Sequence, residues 1–504
     1  MLARVMTFAV DGVEARRVWV EADIRQGLPA FTVVGLADKA VREARERVRA
    51  ALVNSGYEFP LRRITVNLAP AYLRKVGPAF DLPLAVALLV ASHQLDQSAI
   101  ERAAVIGELS LTGEVRAVRG VLAVAEGVRR AQLERLVVPR SRAREATLVP
   151  GIEIVGVDSL QHLVTTLRGD VGPAPLPDES PGCDAADPEL AEVRGHNALI
   201  PGLEVAAAGG HNLFLQGPPG TGKTMIARRL PSILPPLSPE EAIEVTRIQS
   251  VTWMREGSGL VTARPFRAPH HTISAAGLVG GANPPQPGEA TLAHRGVLFL
   301  DELSEFARPS LESLRQPLED GRVTIVRGQQ AVVFPTSFML VAASNPCLCG
   351  LGGSRCTCSA QEVERHRRRL SGPLLDRIDI LMRVERPPSE ALRRQIAPES
   401  ALVRDRVVAA RERQQHRLAG HPETCNAQLT SQQIRDLGRI QPAALKLLNE
   451  LYDRHTLSAR GHTRLLRVAR TVADLDGALA VETEHISVAA SLRFEDAGLL
   501  AEAA

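Results

Sequence analysis

Residues 217–224 read Gly-Pro-Pro-Gly-Thr-Gly-Lys-Thr, and no other stretch of the chain narrows its fold as much. Glycines at the first, fourth and sixth places let a loop turn with its N–H groups inward, around the oxygens of a phosphate. The loop follows an apolar run, His211 to Gln216, and precedes a helical stretch, Met225 to Leu230. That order, strand then loop then helix, aims the positive end of a helix at the same phosphates. Lys223 then reaches the β- and γ-phosphates, and Thr224 offers its hydroxyl to Mg²⁺. The sequence therefore predicts a nucleotide-binding loop of Gly217, Pro218, Pro219, Gly220, Thr221, Gly222, Lys223, Thr224 and Met225, with ATP and Mg²⁺ as cofactors.

Two further apolar runs, Gly296 to Glu302 and Phe338 to Ser344, are bounded by turn residues or helical stretches. Such runs are expected of a parallel sheet covered on both faces, so this part of the chain reads as α/β. Asp301 and Glu302 fall at the C-terminal end of one strand, the edge at which open α/β sheets bind ligands. Asp301 is expected in the Mg²⁺ shell and Glu302 as the group that orients and deprotonates the attacking water. A solitary Asp-Glu pair elsewhere would read as acids at a helix N-terminus. Asn345 closes the next strand, where an amide can bind the γ-phosphate or the water, although Asn-Pro alone also marks a turn.

At 504 residues the chain is long enough for about three domains. The net charge of +3 does not advertise nucleic acid or membrane, and aromatics at 3% leave few rings for base stacking. Any grip on nucleic acid must be mostly ionic. The apolar run Leu82 to Ala91 is about half a bilayer span and carries Pro83, so a core helix is expected there. Met1 to Val10 lacks a cleavage site for secretion, and a cytoplasmic protein without membrane contact is expected.

Gly169 to Leu190 holds five prolines, six acids and no Lys or Arg, the composition of a solvated linker. Before it, short strands at Ile64–Pro70, Ala103–Leu111 and Arg135–Pro139 alternate with helical Lys39–Ser55 and Val121–Gln132, an α+β pattern. From about Pro387 the chain becomes helical, with Leu402–Leu418 and Leu465–Leu479 the clearest segments. Arg322 to Pro335 reads as a β-hairpin with its turn at Arg327, Gly328, Gln329 and Gln330.

Taken together, GPPGTGKT, LFLDE and SNP resemble the AAA+ ATPases. The wording between them is more specific: RPFRAPHHTISAAGLVGGANPPQPGEATLAHRGVLFLDEL (264–303), LEDGRVTIVRG (318–328), SGPLLDRIDI (371–380) and SARGHTRLLRVARTVADL (458–475). These are similar to the magnesium-chelatase-like branch, specifically the YifB/ComM family of competence-related ATPases, over nearly the whole chain. The resemblance implies a P-loop AAA+ core at 191–388, preceded by an α+β Lon-protease-like (S5-type) domain at 1–168 and the 169–190 linker, and followed by an α-helical lid at 389–504. It also implies a homo-oligomeric ring, a hexamer, with the nucleotide between subunits. The family's best-described member is a DNA motor that moves branch points while incoming strands are recombined in natural transformation. Recombination proteins are then expected partners.

Residue by residue, the resemblance makes Arg377 an arginine finger directed at a neighbour's γ-phosphate. Alone, Arg377 reads as a surface arginine paired with Asp376 and Asp379. Arg460 matches the sensor 2 position, with Arg464 and Arg467 as rivals within helical reach. In related ring motors a hairpin ahead of the Asn345 strand points into the pore, so Arg327, Gln329 and Gln330 are expected on phosphates of single-stranded or branched DNA, independent of sequence. The plain alternative is an exposed polar turn. Residues 360–417 hold 14 Arg, no Lys and nine acids, a run that fits a solvated face, subunit contacts or DNA. His270 and His271 receive no role, since adjacent residues cannot share one helix face.

Cys347, Cys349, Cys356 and Cys358 place four thiols in twelve residues, enough to wrap a tetrahedral Zn²⁺. Zinc pairs are usually spaced C-x₂₋₄-C, so reduced free thiols stay open beside structural zinc, while a disulfide is disfavoured in a reducing compartment. Cys183 and Cys425 look unrelated. Against the Lon-type protease pattern, Ala79 stands at the place of the nucleophilic Ser and Leu122 at that of the Lys, leaving no acyl-transfer nucleophile. Three functions remain at this level: a DNA translocase, the ATPase subunit of a metal-insertion chelatase, and a remodeller of a protein partner.

Overall fold

The P-loop strand is flanked on both sides. In the computed structural model, a parallel sheet runs in the order Phe266–Arg267, Val297–Leu300, Met339–Ser344, Leu213–Gln216, Ile380–Arg383. The structure describes residues 2–494 apart from 37, 173, 177–187, 253–258, 283–284, 328–329, 354–355, 370–371, 395–396 and 455–456.

Every residue of the three central strands is buried. Alternate side chains feed opposite cores: Leu213, Leu215, Val341 and Ala343 pack with Ile226, Ala227 and Leu230, whereas Phe214, Leu298, Leu300 and Leu340 pack with Leu311, Leu314 and Leu374. The period of two comes from the pleat, and burial on both faces explains why no polar residue interrupts the runs. Helices Ser400–Arg417, Ala459–Leu475 and Thr483–Phe494 join the first of these cores through Val403, Val407, Leu465, Val468 and Ile486. The expected α/β fold, a parallel sheet with a helical C-terminal region, is observed. The helix expected at 465–479 starts earlier, because Ser458 caps it by accepting the Gly461 N–H at 3.1 Å.

The hairpin also forms, pairing Arg322 with Pro335 through to Arg327 with Gln330. Val323, Ile325, Val332 and Phe334 are buried on one face, while Val326 and Val333 are exposed on the other.

The chain divides into two compact units, residues 1–183 with 239–261, and residues 184–238 with 262–504. The sheet just described belongs to the second. The first holds a seven-stranded sheet in the order Ala30–Val34, Arg63–Ala69, Glu14–Arg25, Leu2–Asp11, Ala103–Val105, Arg135–Pro139, Glu153–Val157. Its hairpin, Leu2–Asp11 with Glu14–Arg25, turns at Gly12 and is antiparallel over its whole length. The apolar run is the helix Asp81–Ala91, buried at every position, with Asp81 held by Arg47 at 2.7 Å. The single strand expected at 103–111 is broken: Ala103–Val105 stays in the main sheet and Glu108–Leu109 pairs with Val115–Arg116.

Residues 239–261 lie inside the span expected for the ATPase core, yet they pack with the first unit. Helix Pro239–Thr252 sets Ile243 against the cluster of Val121, Leu122 and Val124. Ser250 accepts the Gly120 N–H through its carbonyl, and its hydroxyl shares the buried Glu145 carboxylate with the Leu122 N–H. Ala79 and Leu122 both pack in this apolar cluster. Lys75 is buried with its ammonium on the Pro70 carbonyl, and Ser110 bonds Thr112 and the Glu114 N–H. Among the described residues, no helix is long and apolar enough to cross a membrane.

Candidate nucleotide site

Register brings the site together. Gln216 lies opposite Ser344 and Leu300 opposite Ala342, so the P-loop, Asp301 and Asn345 all leave the sheet at its C-terminal edge. The strand Leu213–Gln216 neighbours two strands drawn from later in the chain, which makes this edge the topological switch point of the sheet. Gly217 has to be glycine here, since a Cβ would meet the Val384 carbonyl oxygen at 2.0 Å. Helix Lys223–Ile233 begins at Gly222, in the left-handed conformation.

Lys223 donates to the carbonyls of Gly217 at 2.7 Å and Pro218 at 2.9 Å, and to Asn345 Oδ1 at 3.1 Å. Thr224 Oγ1 donates to Asp301 Oδ2 at 2.6 Å. Thr221 closes the loop by donating to the Pro218 carbonyl at 2.9 Å. The donor set fits a Mg-nucleotide. The three acceptors on the Lys223 ammonium are those that phosphate oxygens would replace, and the hydroxyl and carboxylate needed for Mg²⁺ are already adjacent. Burial pushes the Lys223 ammonium below its ordinary range, and Asp301 and Glu302 pull the other way. Met225 is half-buried at the head of the helix, and its carbonyl accepts from Arg229.

Glu302 sits in the left-handed region with φ of 52°, an unfavourable conformation for a side chain with a Cβ, and such residues gather at functional sites. Its carboxylate faces His271 Nδ1 at 3.4 Å, and the His271 ring lies 4.1 Å from that of His270 and edge-on to Phe306. The histidine pair left without a role by the sequence therefore stands beside Glu302. His196 is a second residue that sequence reasoning passed over. Its imidazole hydrogen-bonds the Thr221 main chain, lies beside Gly222, and is pushed below its ordinary range by burial. Neither histidine carries a motif, and only the folded chain brings them to the loop.

The arginines separate into two groups. Arg377 pairs with Glu319, and Arg460 reaches the same carboxylate at 3.8 Å. The pairs expected of Arg377 in isolation, with Asp376 and Asp379, are made by Arg464 instead, at 3.5 and 3.7 Å. Arg464 is buried there and Arg467 is largely buried, so of the three sensor candidates only Arg460 is exposed. Burial opposes ionisation of Asp379, yet His211 and Arg464 outweigh it and hold the carboxyl below its ordinary range. Within the arginine run, Arg368 pairs with Glu364, Arg369 faces Glu305, and Arg406 clasps Glu204.

Of the residues expected on DNA, Gln329 lies outside the described residues, and for Arg327 and Gln330 only the strand backbone is described. Cys183 also lies outside them. The sulfurs of Cys347, Cys349, Cys356 and Cys358 are brought within 4.8 Å of one another, directly after Asn345. Cys425 is buried elsewhere, beside Gly210.

Three family profiles match the chain. Residues 189–392 match "Magnesium chelatase, subunit ChlI", residues 20–142 match "Subunit ChlI of Mg-chelatase", and residues 397–493 match the ChlI C-terminal region. The chain is 42% identical over 500 residues to YifB of Escherichia coli (strain K12), covering 98% of this chain and 97% of that protein. The chain belongs to the YifB/ComM family of magnesium-chelatase-like AAA+ ATPases. It is also 40% identical over 501 residues to competence protein ComM of Haemophilus influenzae, with 98% and 97% covered. Against the magnesium-chelatase 38 kDa subunit of Acidiphilium rubrum it is 26% identical over 220 residues, or 42% of this chain. ATP and Mg²⁺ are the cofactors that this family implies.

Proposed function

We propose that this chain assembles into a homohexameric ring that hydrolyses ATP between neighbouring subunits and uses the energy to move along single-stranded or branched DNA. The reading extends to branch migration during recombination of incoming DNA. The observation that carries the DNA part is the 40% identity, over 501 residues, with a competence protein. The chelatase reading has a narrower basis, because the likeness to the 38 kDa subunit covers only 42% of the chain.

Lys223 and the loop N–H groups bind the phosphates, and Thr224 and Asp301 hold the metal. Mg²⁺ held by these two residues would offset the negative charge of the phosphates. Glu302 accepts the proton of the attacking water, and Asn345, already bonded to Lys223, orients the γ-phosphate or that water. Arg377, paired with Glu319, is offered to the site of the neighbouring copy, where a fixed guanidinium offsets charge developing in transfer, and Arg460, near the same carboxylate, reads nucleotide state from the lid. The hairpin tip at Arg327, Gln329 and Gln330 contacts DNA phosphates without reading bases.

ATP turnover by the full-length protein, measured with and without single-stranded and forked DNA, tests the proposal. Stimulation by DNA, falling steeply as salt rises, is the expected result. Turnover indifferent to DNA but raised by a protein partner would move the chain to the remodeller reading. Lys223→Ala is expected to lose nucleotide binding, while Glu302→Gln binds ATP without hydrolysing it; full hydrolysis by the latter would remove Glu302 from its role.

A further inference from the structure

The four clustered cysteines take no part in the phosphate chemistry above. Cys347 Sγ lies 3.3 Å from Cys349 Sγ and 3.5 Å from Cys356 Sγ, and Cys349 Sγ is 3.8 Å from Cys356 Sγ. A disulfide has its sulfurs at about 2.05 Å, so these are separate sulfurs. An ion bonded tetrahedrally to sulfur at about 2.3 Å sets sulfur-to-sulfur edges of about 3.8 Å. The observed separations approach that edge, and the tight C-x-C spacing shows only as the shortest of them. A main-chain N–H also points at one of these sulfurs: the Cys349 N–H donates to Cys358 Sγ at 3.3 Å, while the Gly350 N–H closes the turn on the Cys347 carbonyl at 3.0 Å. N–H donors on sulfur favour the ionised ligand, as supporting contacts do around metal sites.

The loop that carries these sulfurs is packed on the nucleotide loop. Gly350 takes φ of 80°, and a Cβ there would meet Pro219 Cδ at 2.8 Å. The backbone of the cysteine loop thus lies directly against the third residue of GPPGTGKT. At its root the Asn345 carbonyl meets His366 Nε2 at 3.0 Å, while the Asn345 side chain accepts from Lys223. A stretch of six residues therefore joins the thiol cluster to two groups of the phosphate site, Pro219 and Lys223.

We propose that Cys347, Cys349, Cys356 and Cys358 bind one Zn²⁺ as thiolates, and that the ion braces the nucleotide loop in its phosphate-binding shape through Gly350 and Asn345. Loading the site releases the thiol protons to water, one for each sulfur not already ionised, and leaves the centre with a net charge of −2. All ligand positions are filled by protein, so the ion is structural and takes no water as nucleophile.

The test uses the full-length chain purified without added metal. Elemental analysis is expected to find about one zinc per chain, and the Cys356→Ser, Cys358→Ser double variant to hold almost none. Stripping zinc from the unaltered chain with a chelator, then restoring it, separates bracing from misfolding. If the unbraced loop keeps its binding shape about a tenth of the time, the apparent affinity for a fluorescent ATP analogue falls about tenfold and returns with Zn²⁺. Lys223→Ala is expected to lose the analogue and keep its zinc, which separates this proposal from the assignment of the nucleotide site. A folded, zinc-free chain, or the visible absorbance of an iron–sulfur cluster, would overturn the metal assignment. Unchanged analogue affinity after zinc removal would overturn the brace.

Discussion

Lys223 shows how a single side chain carries both binding energy and a proton balance. Its ammonium is held below the ordinary lysine range by burial, with Asp301 and Glu302 opposing. A phosphate placed against it favours the charged form and raises that value again. Between the lowered free value and the raised bound value, nucleotide binding must therefore take up a proton. Calorimetric titration in buffers of different ionisation enthalpy is expected to show that uptake growing as pH rises toward the ordinary lysine range; no uptake at any pH would contradict it. His271 offers a second test at this scale. Its Nδ1 faces Glu302 at 3.4 Å, and under the proposed mechanism it would position the carboxylate assigned to take the proton from water. His271→Ala is expected to lower turnover about tenfold, as small misplacements of a catalytic group do, while ATP affinity stays as it was. Equal losses in affinity and turnover would mark a merely structural role.

At the scale of elements, helix Ala459–Leu475 is fastened to the sheet unit by polar contacts in a buried setting. Arg464 meets Asp379, which also accepts the Asn212 N–H at 3.0 Å, and Thr471 meets His211 at 2.8 Å. Asp379→Asn leaves Arg464 without its buried partner, at a cost of about 3 kcal/mol, read as an earlier denaturation transition of the unit that holds this helix. Since the folded carboxyl lies below its unfolded value, its contribution is full above the ordinary carboxylate range and is lost as pH falls through the folded value. The variant is expected to flatten that acid limb. These elements also show what a sequence discloses. Strands Leu213–Gln216, Val297–Leu300 and Met339–Ser344 were legible because burial on both faces leaves continuous apolar runs. The hairpin 322–335 was legible from its alternation. The strand Leu2–Asp11 was not, because burial of every residue from Val5 to Ala9 hides the period of two, and Glu14–Arg25 was passed over although its buried and charged residues alternate from Val20 to Arg25. Residues 239–261 were counted with the ATPase core because they follow the P-loop helix in sequence, and that continuity says nothing about which core takes Ile243. The P-loop, Asp301 and Asn345 were read correctly as neighbours since strand order alone gathers them, whereas His196 and His271 come from loops whose path only the fold determines.

For the whole molecule, a net charge of +3 leaves long-range attraction to DNA weak, so the proposal rests on local contacts repeated around a ring. Repetition matters equally for catalysis. In one chain Arg377 pairs with Glu319, and in the proposed ring it completes the site of the next copy. A site shared in this way has a signature that a self-contained one lacks. Glu302→Gln and Arg377→Ala chains should each be inactive alone. Mixed in equal amounts and supplied with ATP and forked DNA, they should recover turnover, because roughly a quarter of the interfaces then join an intact Glu302 to an intact Arg377. Recovered DNA-stimulated ATP hydrolysis in the mixture is the result predicted here; a mixture as inactive as its components, or an Arg377→Ala chain as active as the unaltered protein, would contradict it.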